Sequence, residues 1–217
     1  MSFTQKLIKN ADPFWKDYVD HKFVQQLANG TLEKASFQHY LKQDYLYLFQ
    51  YSRAISLGIF KANNFQQIET AHQANTDLLK EIQVHINFCK EWGISEKELF
   101  ATVESPACVA YTRYVLDCGI KGGLPELYAA LAPCAVGYAE IGRTIVEKGI
   151  SPKNNPYQAW IDAYASEEFQ QAAQGVICIL DELALDLTEN QKTNLQTIFN
   201  TATRMESGFW QMGLDLS

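Results

Sequence analysis

Cys134 follows a proline and precedes a tyrosine by four residues, in Ala132-Pro133-Cys134-Ala135-Val136-Gly137-Tyr138. In a helix that spacing sets a thiol and a phenol on one face. A proline inside a helix removes a backbone hydrogen bond and presses on the carbonyl four residues back, here Ala129, at a cost of about 3 kcal/mol. Such interruptions open small irregular spaces, so the segment predicts a pocket with a thiol in it. A free thiol of pKa ~8.5 is ionised to only a few per cent at neutral pH and needs a donor or cation to act as a nucleophile. No histidine lies close in sequence, so a phenol is the expected donor. The competing reading is an inert buried cysteine, the commonest fate of the residue.

Two further faces carry acids among aromatics. Tyr40, Asp44, Tyr47 and Tyr51 stand at i, i+4, i+7 and i+11, one helical stripe with a single carboxylate. If buried, Asp44 must be paired or hydrogen-bonded. A carboxylate between rings suits a flat, nitrogen-rich ligand whose amino group it can accept from. The alternative is a helix–helix interface with Asp44 meeting Arg53 or a lysine. Near the C-terminus, Glu206, Phe209 and Trp210 share a face. A carboxyl isolated beside aromatics has a raised pKa and suits a general acid; a solvated Glu206 on an amphipathic helix is the alternative. Tyr111 and Tyr164 read as isolated aromatics.

Glu69-x-x-His72, with Asp77, Glu81 and His85 near it, has the spacing of one helix of a di-iron bundle. No second Glu-x-x-His exists, and all four histidines (His21, His39, His72, His85) fall in the first 85 residues. No metal site is expected, and the histidines read as surface or structural.

These residues must be held by helices, because helical periodicity runs through the chain and no alternating β-branched stretch interrupts it. Ser2 with Gln5 opens a helix expected to reach about Leu27, ended by Asn29-Gly30. A second spans about 31–61 and a third 65–92. Ser95 with Glu98 caps a short one, and Ser105-Pro106 starts another that ends at Gly119. The cysteine helix lies between Gly122-Gly123 and Gly149, followed by segments to Tyr164, from Ser166, and from Thr188 to about Gly213. Connections are short, and one all-α domain over residues 1–217 is expected.

Composition narrows the partners. Of 217 residues 47% are hydrophobic and 12% aromatic, enough for a sizeable core. A formal charge of −7 with no basic cluster argues against nucleic acid. The uncharged stretch Leu127–Ala139 is too short to span a bilayer and reads as a buried helix. Met1 to Asn10 does not read as a secretory signal. Five cysteines without a CxxC pair form neither a disulfide framework nor a zinc site, so a cytoplasmic location is expected.

Taken together the chain resembles the TenA family (thiaminase II, aminopyrimidine aminohydrolase). The matching stretches are Phe37-Gln38-His39-Tyr40-Leu41-Lys42-Gln43-Asp44-Tyr45-Leu46-Tyr47-Leu48, Glu104-Ser105-Pro106 through Ala110-Tyr111-Thr112-Arg113-Tyr114, and Pro133-Cys134-x-x-x-Tyr138-x-Glu140-Ile141-Gly142. Trp160-Ile161-x-x-Tyr164-x-Ser166-x-Glu168-Phe169 and Glu206-x-x-Phe209-Trp210-x-Met212 follow in the same order. The resemblance implies the haem-oxygenase-like multi-helix bundle, assembled as a homotetramer, with no cofactor. It implies hydrolysis of 4-amino-5-aminomethyl-2-methylpyrimidine to the hydroxymethyl compound and ammonia in thiamin salvage, and of thiamin in many members. On matching positions Cys134 would be the nucleophile, Glu206 the acid/base and Tyr47 the activator of the thiol. Asp44, Tyr138 and Tyr164 would hold the pyrimidine, with Tyr111 and Phe209 lining the pocket. Val136 and Gly137 stand where many relatives carry a larger aromatic, which predicts a larger pocket or a shifted preference. The runner-up is a metal- or haem-dependent oxygenase on the same fold, and a third reading is a pyrimidine-binding protein without catalysis, since fold alone does not settle function.

Overall fold

The Ser2 hydroxyl accepts from the Gln5 amide at 3.2 Å, and Gln5 Oε1 accepts from the Ser2 amide at 3.0 Å, so the capping box forms where the sequence predicts it. In this computed structural model, which describes residues 1–217, it opens α1 (Phe3–Asn10). The single helix expected to reach Leu27 is instead three: α1, α2 (Phe14–Val19) and α3 (Lys22–Asn29). Pro13 has no amide hydrogen with which to continue α1, and His21 Nδ1 accepts from the Phe23 amide at 3.2 Å to start α3. The break turns α2 inward, and both Trp15 and Tyr18 are buried on it.

The remaining elements lie close to their sequence-derived bounds: α4 (Lys34–Lys61), α5 (Phe65–Glu91), α6 (Glu96–Phe100), α7 (Pro106–Lys121), α8 (Leu124–Lys148), α9 (Gln158–Ala165), α10 (Glu167–Leu183) and α11 (Glu189–Asp215). Asn64, Ser95, Ser105, Ser166 and Thr188 each cap their helix through a side-chain oxygen that accepts a first-turn amide. No strand forms, and no helix is long and apolar enough to cross a membrane.

The bundle is built around α8, which packs against α2, α7, α9, α10 and α11. Its middle, Ala129 to Pro133, is buried on every side, as a helix apolar all round must be. Pro133 does not end it: α8 runs unbroken from Leu124 to Lys148. Gly142 brings α9 against α8, because a Cβ there would lie 2.5 Å from the Tyr164 carbonyl carbon. Gln170 Nε2 from α10 donates to the Ala139 and Tyr164 carbonyls at 2.9 and 2.8 Å, which locks that junction.

Candidate active site

Four helices deliver the acid, the thiol and the rings to one place. Asp44 and Tyr47 come from α4, Tyr111 from α7, Cys134 and Tyr138 from α8, and Glu206 and Phe209 from α11, with Tyr164 added by α9. Apart from Cys134 and Tyr164, these side chains belong to buried residues. Cys134, Tyr164 and Tyr51 are half-buried.

Hydrogen bonds run from a tyrosine beside the thiol to the carboxyl. The Tyr111 hydroxyl donates to Glu206 Oε1 at 2.6 Å, and the Tyr47 hydroxyl donates to Tyr111 at 3.4 Å. Tyr47 also stands against the Cys134 thiol, and its one hydroxyl hydrogen, turned from Tyr111 to the sulfur, favours the thiolate. The two tyrosine rings stack, with centroids 5.2 Å apart. Phe209 meets Tyr47 and Tyr40 edge-on at 5.8 and 6.1 Å, holding both from behind.

Charge in this site is expensive. Burial pushes the Glu206 carboxyl up to about 8, opposed by the Tyr111 hydrogen bond and helped to a lesser degree by the negative charge of Asp44. Glu206 is 2% exposed, so the solvated alternative does not apply. Burial raises Asp44 to about 7. The Cys134 thiol is pushed well above its ordinary value, first by burial and then by the charge of Glu206. Cys134 is therefore a resting thiol beside a protonated carboxyl.

The aromatic slot is completed by rings from separate helices. Tyr138 lies 4.9 Å from Tyr164 and 5.1 Å from Trp210, and Trp160 is 4.4 Å from Tyr164. Trp160 Nε1 donates to the Tyr40 hydroxyl at 3.3 Å.

Two residues here escape the sequence reading. Tyr18 of α2 lies over Gly137: a Cβ at that position would fall 2.1 Å from the Tyr18 ring. The Tyr18 hydroxyl donates to the Pro133 carbonyl at 3.3 Å, one residue before Cys134. The Tyr18 ring thus occupies the space above Gly137, and Val136 is buried in the core. His85, taken as surface or structural, faces Asp44, with Nδ1 3.6 Å from Oδ2. Arg53, the alternative partner of Asp44, instead donates to Gln50 Oε1 at 2.8 Å.

His72 and Glu69 are exposed on α5, away from this pair, and no three His, Cys, Asp or Glu side chains converge on a point where a metal ion would sit. A cavity of about 540 Å³ lies elsewhere, in an open groove between α1, α10 and α11 lined by Lys6, Asp181 and Lys192 among others.

A model of the TENA/THI-4/PQQC family matches residues 8–216. The chain belongs to that family. Among TENA/THI-4/PQQC relatives, an uncharacterised protein of Haemophilus influenzae is 60% identical over 98% of this chain and 99% of its own length. The aminopyrimidine aminohydrolase of Halalkalibacterium halodurans is 41% identical over 98% of this chain and 95% of its own. The crystal structure of a protein described as a TenA family transcription regulator, from a Silicibacter species, superposes with a TM-score of 0.92 at 39% identity, covering 98% of this chain and 96% of that one. A Shewanella denitrificans domain with a heme oxygenase-like fold superposes at 0.77 with 12% identity over 98% and 92% of the two chains, which supports the fold alone. The expected all-α, haem-oxygenase-like bundle is the fold of this TENA/THI-4/PQQC member.

Proposed function

We propose that the chain is an aminopyrimidine aminohydrolase of thiamin salvage, using Cys134 to hydrolyse 4-amino-5-aminomethyl-2-methylpyrimidine to its hydroxymethyl counterpart and ammonia. The observation that carries this reading is the path from Cys134 through Tyr47 and Tyr111 to Glu206, with Asp44 facing the same aromatic slot. The name borne by the Halalkalibacterium halodurans relative supports it.

The resting protonation states are part of the mechanism. The substrate's primary ammonium, entering among Glu206, Asp44 and Glu81, opposes the burial that raises Glu206 and Cys134 and favours their charged forms. Glu206 then takes the thiol proton through Tyr111 and Tyr47. The thiolate adds to a ring carbon, and the displaced electron pair expels the protonated amine as ammonia. Water adds to the exocyclic carbon left behind, its proton returning through Glu206, and the ring ejects the sulfur. Asp44 accepts from the ring's amino group, while Tyr138 and Tyr164 close on its faces. Thiamin shares the pyrimidine and carries a cationic leaving group, so the same residues serve its hydrolysis.

Phe60, Phe65 and Leu79 are 82%, 75% and 57% exposed along α4 and α5, which supports assembly of the chain as a homotetramer. Five free cysteines fit a reducing cytoplasm. The test is ammonia release from the aminomethylpyrimidine by the protein and by Cys134→Ala: turnover lost in a folded variant supports the assignment, and turnover unchanged removes it. Comparing kcat/KM with that for thiamin decides the physiological substrate.

A further inference from the structure

His85 belongs to none of the motifs that carry the proposed chemistry, yet it is the only basic side chain within ion-pair distance of Asp44. The two side chains are 10% and 9% exposed. His85 Nε2 lies 2.9 Å from the Leu41 carbonyl, one turn before Asp44 on α4. A carbonyl only accepts, so Nε2 carries a hydrogen, and neutral His85 presents a bare Nδ1 to Asp44 Oδ2. At 3.6 Å the two stand at ion-pair rather than hydrogen-bond distance, and a proton on either one turns two facing lone pairs into an attraction; the Tyr40 hydroxyl is the other hydrogen-bond partner of Asp44. The other titratable groups around the pair are phenols (Tyr40 of α4, Tyr138 of α8, Tyr164 of α9), thiols (Cys89 of α5, Cys108 of α7, Cys134 of α8) and carboxyls (Glu81 of α5, Glu206 of α11). None is a base of imidazole strength. Glu168 of α10 faces Glu81 from the far side.

We infer that His85 is a specificity-determining positioning residue: it shares one proton with Asp44 Oδ2 and so leaves Oδ1 as an acceptor only, selecting ligands that offer an amino group. The selectivity follows whichever partner holds the proton. As Asp44–H to Nδ1, or as carboxylate to imidazolium, the hydrogen is committed to the contact with His85. The ring edge therefore meets a pure acceptor, which pairs with an exocyclic amino group and repels an exocyclic oxygen. Removal of the imidazole releases that constraint. A buried Asp44 left alone keeps a proton near neutral pH, its burial raising it to about 7, and can rotate the proton toward a ligand oxygen. Loss of a hydrogen-bonded partner of this kind is worth tenfold or more.

This rests on the pyrimidine reading above, and the experiment separates the two. Titration calorimetry at pH 6.5 compares 4-amino-5-hydroxymethyl-2-methylpyrimidine with its 4-oxo analogue on the wild-type protein, His85→Asn and His85→Gln, each verified as folded by circular dichroism. The expected result is a wild-type preference for the amino compound of at least about tenfold, falling below about threefold in both variants, chiefly through tighter oxo binding. An unchanged ratio in the variants overturns the role of His85 while leaving the hydrolase reading intact. If the wild type binds neither pyrimidine, both fall. Nitrogen-15 shifts of the His85 ring, assigned by their loss in His85→Asn, give a readout independent of ligand: the Nε2–H tautomer is expected, and an Nδ1–H tautomer overturns the proposal.

Discussion

Tyr111 donates its hydroxyl to Glu206 at 2.6 Å, the shortest contact in the path that leads to the thiol. The bond favours the ionised carboxyl and partly offsets the burial that raises Glu206 to about 8. It also ties an acid on α11 to a tyrosine on α7, across 95 residues of chain. One side chain thus both orients the acid and lowers a pKa that burial raises.

Tyr111→Phe removes that bond and leaves the ring. Glu206 loses its compensation, so its pKa moves above 8. Because Glu206 must be ionised to take the thiol proton, the acid limb of kcat should move to higher pH. Peak kcat should fall by about tenfold or more as the path to Cys134 is cut. A pH–rate profile of the variant checks both, and an acid limb moving downward would contradict this assignment of the bond.

Glu206→Gln tests the energetic cost of the buried acid. The folded-state pKa, about 8, lies above the unfolded value near 4.5. Between those pH values the folded chain holds a proton that the unfolded chain has lost. Glu206 therefore makes stability fall as pH rises from about 4.5 to about 8, by on the order of a few kcal/mol. Glutamine keeps an acceptor for Tyr111 and never ionises. The variant should be inactive yet gain Tm relative to wild type at pH 8.5, with much less gain at pH 5.5. Thermal unfolding at the two pH values measures it.

Gly137→Ala tests the packing of Tyr18. The added methyl would stand 2.1 Å from the Tyr18 ring, far inside contact distance, so α2 must shift or the tyrosine must leave the Pro133 carbonyl. Overpacking of this kind costs about 1–3 kcal/mol. Urea unfolding should show the loss, and kcat should fall because the carbonyl one residue before Cys134 loses its donor. Tyr18→Phe, which keeps the ring, should cost only about 1 kcal/mol. Equal stability of Gly137→Ala and wild type would show that Tyr18 does not sit where it is drawn.

What could be read from sequence was local. Tyr40, Asp44 and Tyr47 on one face, Cys134 with Tyr138, and Glu206 with Phe209 are each within three turns of a single helix, where spacing alone places them. Helix starts were legible where a Ser or Thr marks them, as at Ser2, Ser95, Ser105, Ser166 and Thr188, whereas α2, α3, α4, α8 and α9 begin without such a cap. The first helix was misread although Pro13 carried the signal, since a capping box and a helical period on both sides outweighed one breaker. Tyr18, His85 and the role of Tyr111 were not legible. Each depends on which helices meet: α2 on α8, α5 on α4, and α7 on α11. Gly137 was read as a missing side chain, whereas a ring from 119 residues earlier fills the place.

Cys134 itself gives the last prediction. It is partly exposed, but burial of the sulfur and the neighbouring charge of Glu206 push its thiol well above the ordinary value. Alkylation proceeds through the thiolate, so accessibility alone does not make the residue reactive. At pH 7.5 with iodoacetamide, the exposed Cys178 should be modified first and Cys134 more slowly, with Cys89 and Cys108, buried and raised to about 12, slower still. Raising the pH should accelerate Cys134. Tyr47→Phe should slow it, because the hydrogen bond that favours its thiolate is gone. Peptide mass spectrometry over a time course orders the sites. Labelling of Cys134 ahead of Cys178 would mean a thiolate already present at rest, and would remove the need for the cationic substrate to generate it.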